Sequence, residues 1–296
     1  MNEAQTEPVV VGIDGSGTAR RAVRWAAGEA ARRRTGLRIV YGDVFAAPAI
    51  PGLRKAQAPP EVVRADVEKS LAEAAEAARR ESPEIAVETA SLPGTPTSVL
   101  IEQSRRAGLV VVGDRGLGGF TGLLAGSVAV SVAAHAHGSI AVVRARNGHE
   151  QDSAHGPVVV GLDGSKQDER LLAHGFDAAA GYEAPLHVVH AWNLVGVDVR
   201  RMRVGLAADE IQAGEQRLLS ELLGGWGERY PDVEVHQHVT RGSAAAELLR
   251  HAEQARLVVV GARGRGGFTG MLLGSTSQAL IHHAPCPILI VRSAND

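Results

Sequence analysis

VVVGIDGS (Val9–Ser16) returns as VVVGLDGS (Val158–Ser165), and LVVVGDRGLGGFTGLLAGS (Leu109–Ser127) returns as LVVVGARGRGGFTGMLLGS (Leu257–Ser275). The offsets are 149 and 148 residues, so one domain is written twice with a single-residue length difference between the matches. The halves are 1–147 and 157–296, joined by the polar stretch 148–156, which reads as a linker. Within each half, short β-branched runs alternate with longer helical patterns, the signature of crossover units and a parallel sheet. Strands are expected near 8–13, 37–44, 85–91, 109–113 and 139–144, and again near 157–162, 186–191, 233–239, 257–261 and 287–292. Continuous apolar runs such as LVVVG suit strands covered by helices on both faces. Between the first two strands, Ala19, Ala22, Val23, Ala26 and Ala30 recur at helical spacing and form a face that packs on the sheet.

The chain has 296 residues, of which 45% are hydrophobic and 22% charged, the balance of a globular protein. A formal net charge of −2 gives no polyanion signal, so nucleic acid is not an expected partner. Neither is a membrane, since no apolar run approaches the roughly 20 residues needed to span one. The single cysteine, Cys286, excludes an internal disulfide and a cysteine-based zinc site. With no leader-like pattern in residues 1–8, a cytoplasmic location is expected.

The segment after the fourth strand of each half reads G-x2-G-x9-G-S: Gly113, Gly116, Gly126, Ser127 and Gly261, Gly264, Gly274, Ser275. Glycines at a strand end let backbone approach a ligand and adopt positive φ, so that successive N–H groups hold an anion. The Gly-Ser pairs then open helices, whose unpaired N–H groups and dipole favour phosphate. The serine either caps the helix or donates its hydroxyl to a phosphate oxygen. Arg115 and Arg263 lie inside the loops, where a cation pairs with phosphates. No Walker A pattern occurs. The G-x-G pairs Gly116, Gly118 and Gly264, Gly266 follow the fourth strand rather than opening the first crossover, so the dinucleotide fingerprint is absent too.

The pairing of V-G-x-D-G-S at the first strand with G-x2-G-x9-G-[ST] after the fourth resembles the ATP-binding class of universal stress proteins, in the tandem form found in actinobacteria. The resemblance covers nearly all of both halves. It implies an α/β fold of two tandem Rossmann-like domains, similar to the adenine nucleotide alpha hydrolases. Each would be a five-stranded parallel sheet of order 3-2-1-4-5 with helices on both faces. It implies one ATP per domain with Mg2+ as counterion, a regulatory role in the stress response rather than an enzyme, homodimers, and a protein partner that the sequence does not name.

Carried over by position, Asp14 and Asp163 contact the adenosine part of ATP, or else serve as turn carboxylates. Gly12 and Gly161 permit close approach beside them. Gly42 and Ala191 meet adenine through backbone, and Gly42 departs from the larger apolar residue common there. Val112 and Val260 either cover the base or belong to the sheet core. The loops themselves are Asp114, Arg115, Gly116, Leu117, Gly118 and Gly119 in the first half, and Ala262, Arg263, Gly264, Arg265, Gly266 and Gly267 in the second. Val128 and Thr276, after the loop serines, offer N–H groups to phosphate. From Asp114–Leu117 to Ala262–Arg265 the formal charge rises from 0 to +2, so the second site is expected to bind ATP more tightly.

No Ser/His/Asp set, repeated acid–base pair or nucleophile elbow occupies equivalent places in both halves, which favours binding over turnover. The rival readings are an enzyme that hydrolyses or transfers from ATP and a structural dimerisation module. His135 and His283 recur at a helix end, where histidine meets helix carbonyls. His190 has Tyr41 as its counterpart, against an obligatory catalytic role. The run Arg32–Arg34 reads as a solvated helix end.

Overall fold

The computed structural model describes residues 7–46, 61–116, 125–144, 155–192, 208–265 and 272–292. The chain divides into two compact units, and each is built the same way. The first runs β1 (Val9–Ile13), α1 (Gly17–Arg32), β2 (Leu37–Asp43), α2 (Glu61–Glu81), β3 (Val87–Pro93), α3 (Pro96–Gln103), β4 (Leu109–Gly113), α4 (Ser127–His135) and β5 (Ile140–Val143). The second runs β6 (Val158–Leu162), α5 (Asp168–Tyr182), β7 (Leu186–Trp192), α6 (Ala208–Leu222), α7 (Trp226–Arg229), β8 (Val235–Arg241), α8 (Ala244–Ala252), β9 (Leu257–Gly261), α9 (Ser275–His283) and β10 (Ile288–Val291).

All strand pairs within each unit are parallel, in the orders β3-β2-β1-β4-β5 and β8-β7-β6-β9-β10. The central strands β1 and β6 are apolar on both faces because helices cover both: Val9, Val10 and Val11, like Val158, Val159 and Val160, are at most 1% exposed. Strands β3 and β8 start two residues later than the sequence suggests. As sheet-edge strands they bury few side chains, so their apolar pattern marks their ends poorly.

Helix α1 starts where the Ser16 hydroxyl accepts from the Ala19 N–H at 3.1 Å, and its alanine face is buried on the sheet. Just past its end Arg34 takes a left-handed φ of 53°, and Glu183, its counterpart in the repeat, has φ 51° after α5. The arginine run is not a solvated end. Glu29 is buried, and Arg32 and Arg33 bind its carboxylate at 2.7 and 2.6 Å. Burial alone would raise the Glu29 pKa, but the two guanidiniums prevail and hold it below the ordinary carboxylate value.

Among the described residues, the second domain has aromatic packing that the first does not. Phe176 stacks on Trp226 with ring centres 5.0 Å apart and on Tyr230 at 5.2 Å, whereas the position matching Phe176 in the first half is Ala27.

Candidate functional site

In the order 3-2-1-4-5 the connections leave the two central strands in opposite directions, and the cleft at their carboxyl ends is the switch point of an open α/β sheet. The D-G-S turns sit there. Gly15 and Gly164 adopt φ of 86° and 75°, and the Ser16 and Ser165 N–H groups donate to Oδ1 of Asp14 and Asp163 at 2.9 and 3.0 Å. The turn role of these aspartates is therefore real, but it uses one oxygen. The other, Oδ2, lies against the second glycine of the facing loop. A β-carbon on Gly116 would collide with Asp14 Oδ2, and one on Gly264 would stand 2.7 Å from Asp163 Oδ2. In the second domain the Arg265 N–H also donates to Asp163 Oδ2, at 2.5 Å.

Each loop leaves its strand and rejoins its helix through one backbone hydrogen bond, Gly126 N–H to Asp114 O at 2.7 Å and Gly274 N–H to Ala262 O at 2.8 Å. Positive φ is not what these positions need. Gly113, Gly116, Gly126 and their counterparts Gly261, Gly264 and Gly274 all lie outside that region. Space is the requirement: a β-carbon on Gly126 would stand 3.2 Å from the Asp114 carbonyl, and one on Gly113 3.2 Å from Thr18. Nor do the serines cap. The N-caps of α4 and α9 are Gly126 and Gly274, neither with a side-chain cap, and Ser127 and Ser275 are exposed first-turn residues. The first-turn N–H groups, those of Val128 and Thr276 included, thus have no partner within the helix.

Other candidates fall into place individually. A β-carbon on Gly12 or Gly161 would stand 2.8 Å from Leu100 or Leu248, so these glycines make room for α3 and α8. On Gly42 it would stand 2.8 Å from the Pro96 backbone, which explains why no larger residue sits there; Ala191 is half-buried at the matching point of β7. Val112 and Val260 are buried at 3% and 4% exposure and belong to the sheet core. Leu117, Gly118, Gly119, Gly266 and Gly267 lie outside the described residues. His135 Nδ1 faces the Ser131 carbonyl at 2.9 Å, a helix-end contact.

Of four further positions near the cleft, Asp114 and His190 were visible in the sequence, whereas Thr18 and Asp168 carried no signal there. Asp114 is 3% exposed, and its Oδ2 meets both Arg144 Nε at 3.2 Å and the loop's Arg115 Nε at 3.7 Å. Thr18 donates its hydroxyl to the Arg115 carbonyl, and its counterpart Gln167 would stand 3.0 Å from a β-carbon on Gly261. Asp168, fully buried, accepts from the Gly164 N–H at 2.6 Å. Burial first, then the neighbouring Asp163 carboxylate, push its pKa up to about 6, against hydrogen bonds from Asp163 and Gly164 N–H and the charge of His190. His190 is buried between the Leu162 carbonyl at 3.1 Å and Glu215 Oε2 at 3.0 Å, a structural bridge from β6 to α6. The first domain has Ala19 and Tyr41 in place of Asp168 and His190. Burial and the carboxylates of Asp43 and Asp14 raise the Tyr41 phenol pKa.

Residues 5–144 and 155–292 each match the model of the Universal stress protein family. A universal stress protein of Mycolicibacterium smegmatis is 38% identical over 99% of this chain and 99% of its own length. One of Mycobacterium tuberculosis is 34% identical over 97% of this chain and 96% of its own. The crystal structure of a universal stress protein from Archaeoglobus fulgidus covers 97% of this chain and 99% of that one with a TM-score of 0.70; at 21% identity it speaks for the fold alone. Matched in both halves by one family and along its whole length by tandem relatives, the chain belongs to the universal stress protein family.

Proposed function

We propose that each domain binds one ATP, and that the protein is a regulatory member of the stress response whose nucleotide occupancy, rather than turnover, carries the signal. The observation behind this is the meeting of the two repeated motifs: in both domains the strand-end aspartate lies against the second loop glycine, where added bulk does not fit. Asp14 and Asp163 place carboxylates at the strand ends, and because a carboxylate oxygen accepts more than one hydrogen bond each can also accept from ribose hydroxyls. The uncapped starts of α4 and α9, with Ser127 and Ser275, suit phosphate, and Arg115 and Arg263 add positive charge. The backbone at Gly42 and Ala191 closes the adenine end. Mg2+ accompanies ATP as its phosphate counterion.

The proposal includes a cytoplasmic homodimer acting through a protein partner. It accords with the buried Cys286 and with the finding that, among the described residues, no helix is long and apolar enough to cross a membrane. Native mass spectrometry of the purified chain after ATP incubation should show adenine nucleotide approaching two per chain, without release of ADP above a protein-free control. Guanine nucleotide only, or none, would remove the proposal; steady ADP release lost with loop substitutions would replace it by an enzyme.

A further inference from the structure

Away from the nucleotide cleft, the second domain gathers histidines from three elements. His187 is the second residue of β7, and the parallel register sets it beside His236 of β8, with His238 two residues on along the same face of that strand. Helix α8 packs over β6 and β7, and its last turn brings His251 to the same point. Ring centres of His187 and His238 are 5.0 Å apart, those of His238 and His251 4.5 Å, and those of His187 and His251 5.9 Å. One ring nitrogen from each of the three lies within 4.8 Å of the others. His187 lies about 13 Å along its strand from Ala191. The cluster therefore stands toward the opposite end of the sheet from the loops.

Three imidazoles packed together need a reason, because buried ring nitrogens are normally hydrogen-bonded. Here His187 Nδ1 and His238 Nε2 are both buried and have no hydrogen-bond partner. Burial, with the neighbouring histidines adding to it, lowers the pKa of His187 to about 4 and lowers those of His238 and His251 as well. The rings are thus the neutral, lone-pair-bearing form that metals bind. The charged groups around them are Glu247, whose Oε1 lies 3.4 Å from His251 Nε2, Arg250, whose Nη2 lies 3.0 Å from the same nitrogen, and Glu234 beside His236 at 3.1 Å. With Nδ1 of His251 turned to the metal, Nε2–H donates to Glu247, the carboxylate–histidine support common at metal sites; Arg250 already holds Glu247 at 2.6 Å and moves off the ring.

We infer that His187, His238 and His251 form a binding site for a divalent transition ion, zinc foremost, with the fourth position left to water. Three imidazoles are a borderline donor set that suits Zn2+, Co2+, Ni2+ and Cu2+ and not Mg2+ or Ca2+. Tetrahedral zinc with bonds of about 2.0–2.1 Å needs nitrogens about 3.3 Å apart, so the trio has to close by about 1.5 Å at most, within reach of side-chain rotation. The first domain holds Arg38, Ala90 and Gln103 at these points, so the site is single and confined to the second domain.

The test uses the full chain, freed of any purification tag and treated with chelator. Zn2+ titrated in competition with a chromophoric chelator should give one ion per chain. His187→Gln and His238→Gln should each weaken it at least about tenfold, since losing even a supporting group at metal sites costs that much. His282→Gln with His283→Gln should leave it unchanged. Co2+ should give the intense visible absorption of a four- or five-coordinate ion in the unmodified chain, reduced in His251→Gln, which serves if the strand variants do not fold. No binding at about 100 μM free Zn2+, affinity indifferent to His238, or loss through the His282/His283 pair would each overturn the assignment.

Discussion

The two domains share a frame and differ in what lies beneath the cleft. In the first, a buried carboxylate, Asp114, is tied to Arg144, and β2 carries Tyr41 two residues before its end. In the second, Ala262 stands in place of Asp114, while Asp168, His190 and Glu215 form a polar layer under the D-G-S turn. Duplication preserved the parts that a nucleotide would touch, whereas each copy solved the support of that surface separately. Asp114 meets Arg144 at 3.2 Å and Arg115 at 3.7 Å, and the second domain keeps an arginine, Arg292, at the position of Arg144, so the two-charge contrast between the sites stands and Arg265 supplies one of the two charges.

The largest effect should come from the support of the first domain. Asp114→Ala removes the carboxylate facing a guanidinium only 13% exposed and is expected to cost about 3 kcal/mol of stability. Adding Arg144→Met should recover most of it, and denaturant unfolding in a double-mutant cycle measures the difference. Equal loss in single and double variants would show that the pair does not matter.

The second domain should instead respond to pH. Folded Asp168 keeps its proton to about pH 6, whereas its ordinary value is 3.8. Between those values the folded chain binds more protons, so stability present below about pH 4 is lost as pH rises through about 6. The loss should be about 2 kcal/mol, less than the full shift implies because solvent and backbone relax around the charge. Asp168→Asn should flatten this slope in melts from pH 4 to 7, and an unchanged slope would assign it elsewhere.

Glycine substitutions separate frame from cleft. Gly12→Ala and Gly161→Ala, which push into Leu100 and Leu248, should cost about 1–2 kcal/mol of stability. Gly116→Ala and Gly264→Ala, which push the aspartates aside, should weaken nucleotide binding at one site by about tenfold with little change in melting. Calorimetry and thermal melts on all four would refute the division if the two pairs behaved alike. Smallest is the charge effect: Arg265→Ala should weaken the second site several-fold at low salt, a gap of about 0.5–1 kcal/mol that narrows as salt rises. A gap indifferent to salt would show that Arg265 acts through its contact with the Gly164 carbonyl instead.

The sheet was legible because buried parallel strands are apolar without interruption: β4 and β9 lie where LVVVG places them. The glycines of the cleft were legible as positions but not as causes. Neither the contact of Gly12 with Leu100 nor that of Gly116 with Asp14 has a sequence spacing, since each is made across the fold. The same holds for Asp114 and Arg144. The histidine cluster was invisible for a further reason: His187, His238 and His251 carry no metal-ligand spacing, and only the parallel register of β7 with β8 brings the first two together. The polar signals that do repeat, such as His135 and His283, proved to be helix-end positions.

Because each loop leaves and returns at one neck, closed by the hydrogen bond of Gly126 N–H to Asp114 O or of Gly274 N–H to Ala262 O, residues 115–125 and the equal-length stretch 263–273 are interchangeable parts. Selection can rewrite one without renegotiating the strands that carry it, while the other copy goes on meeting the existing need. A duplicated gene so arranged has a ready route to divergence: one half is free to explore new ligands, and loops can be exchanged between paralogues as cassettes.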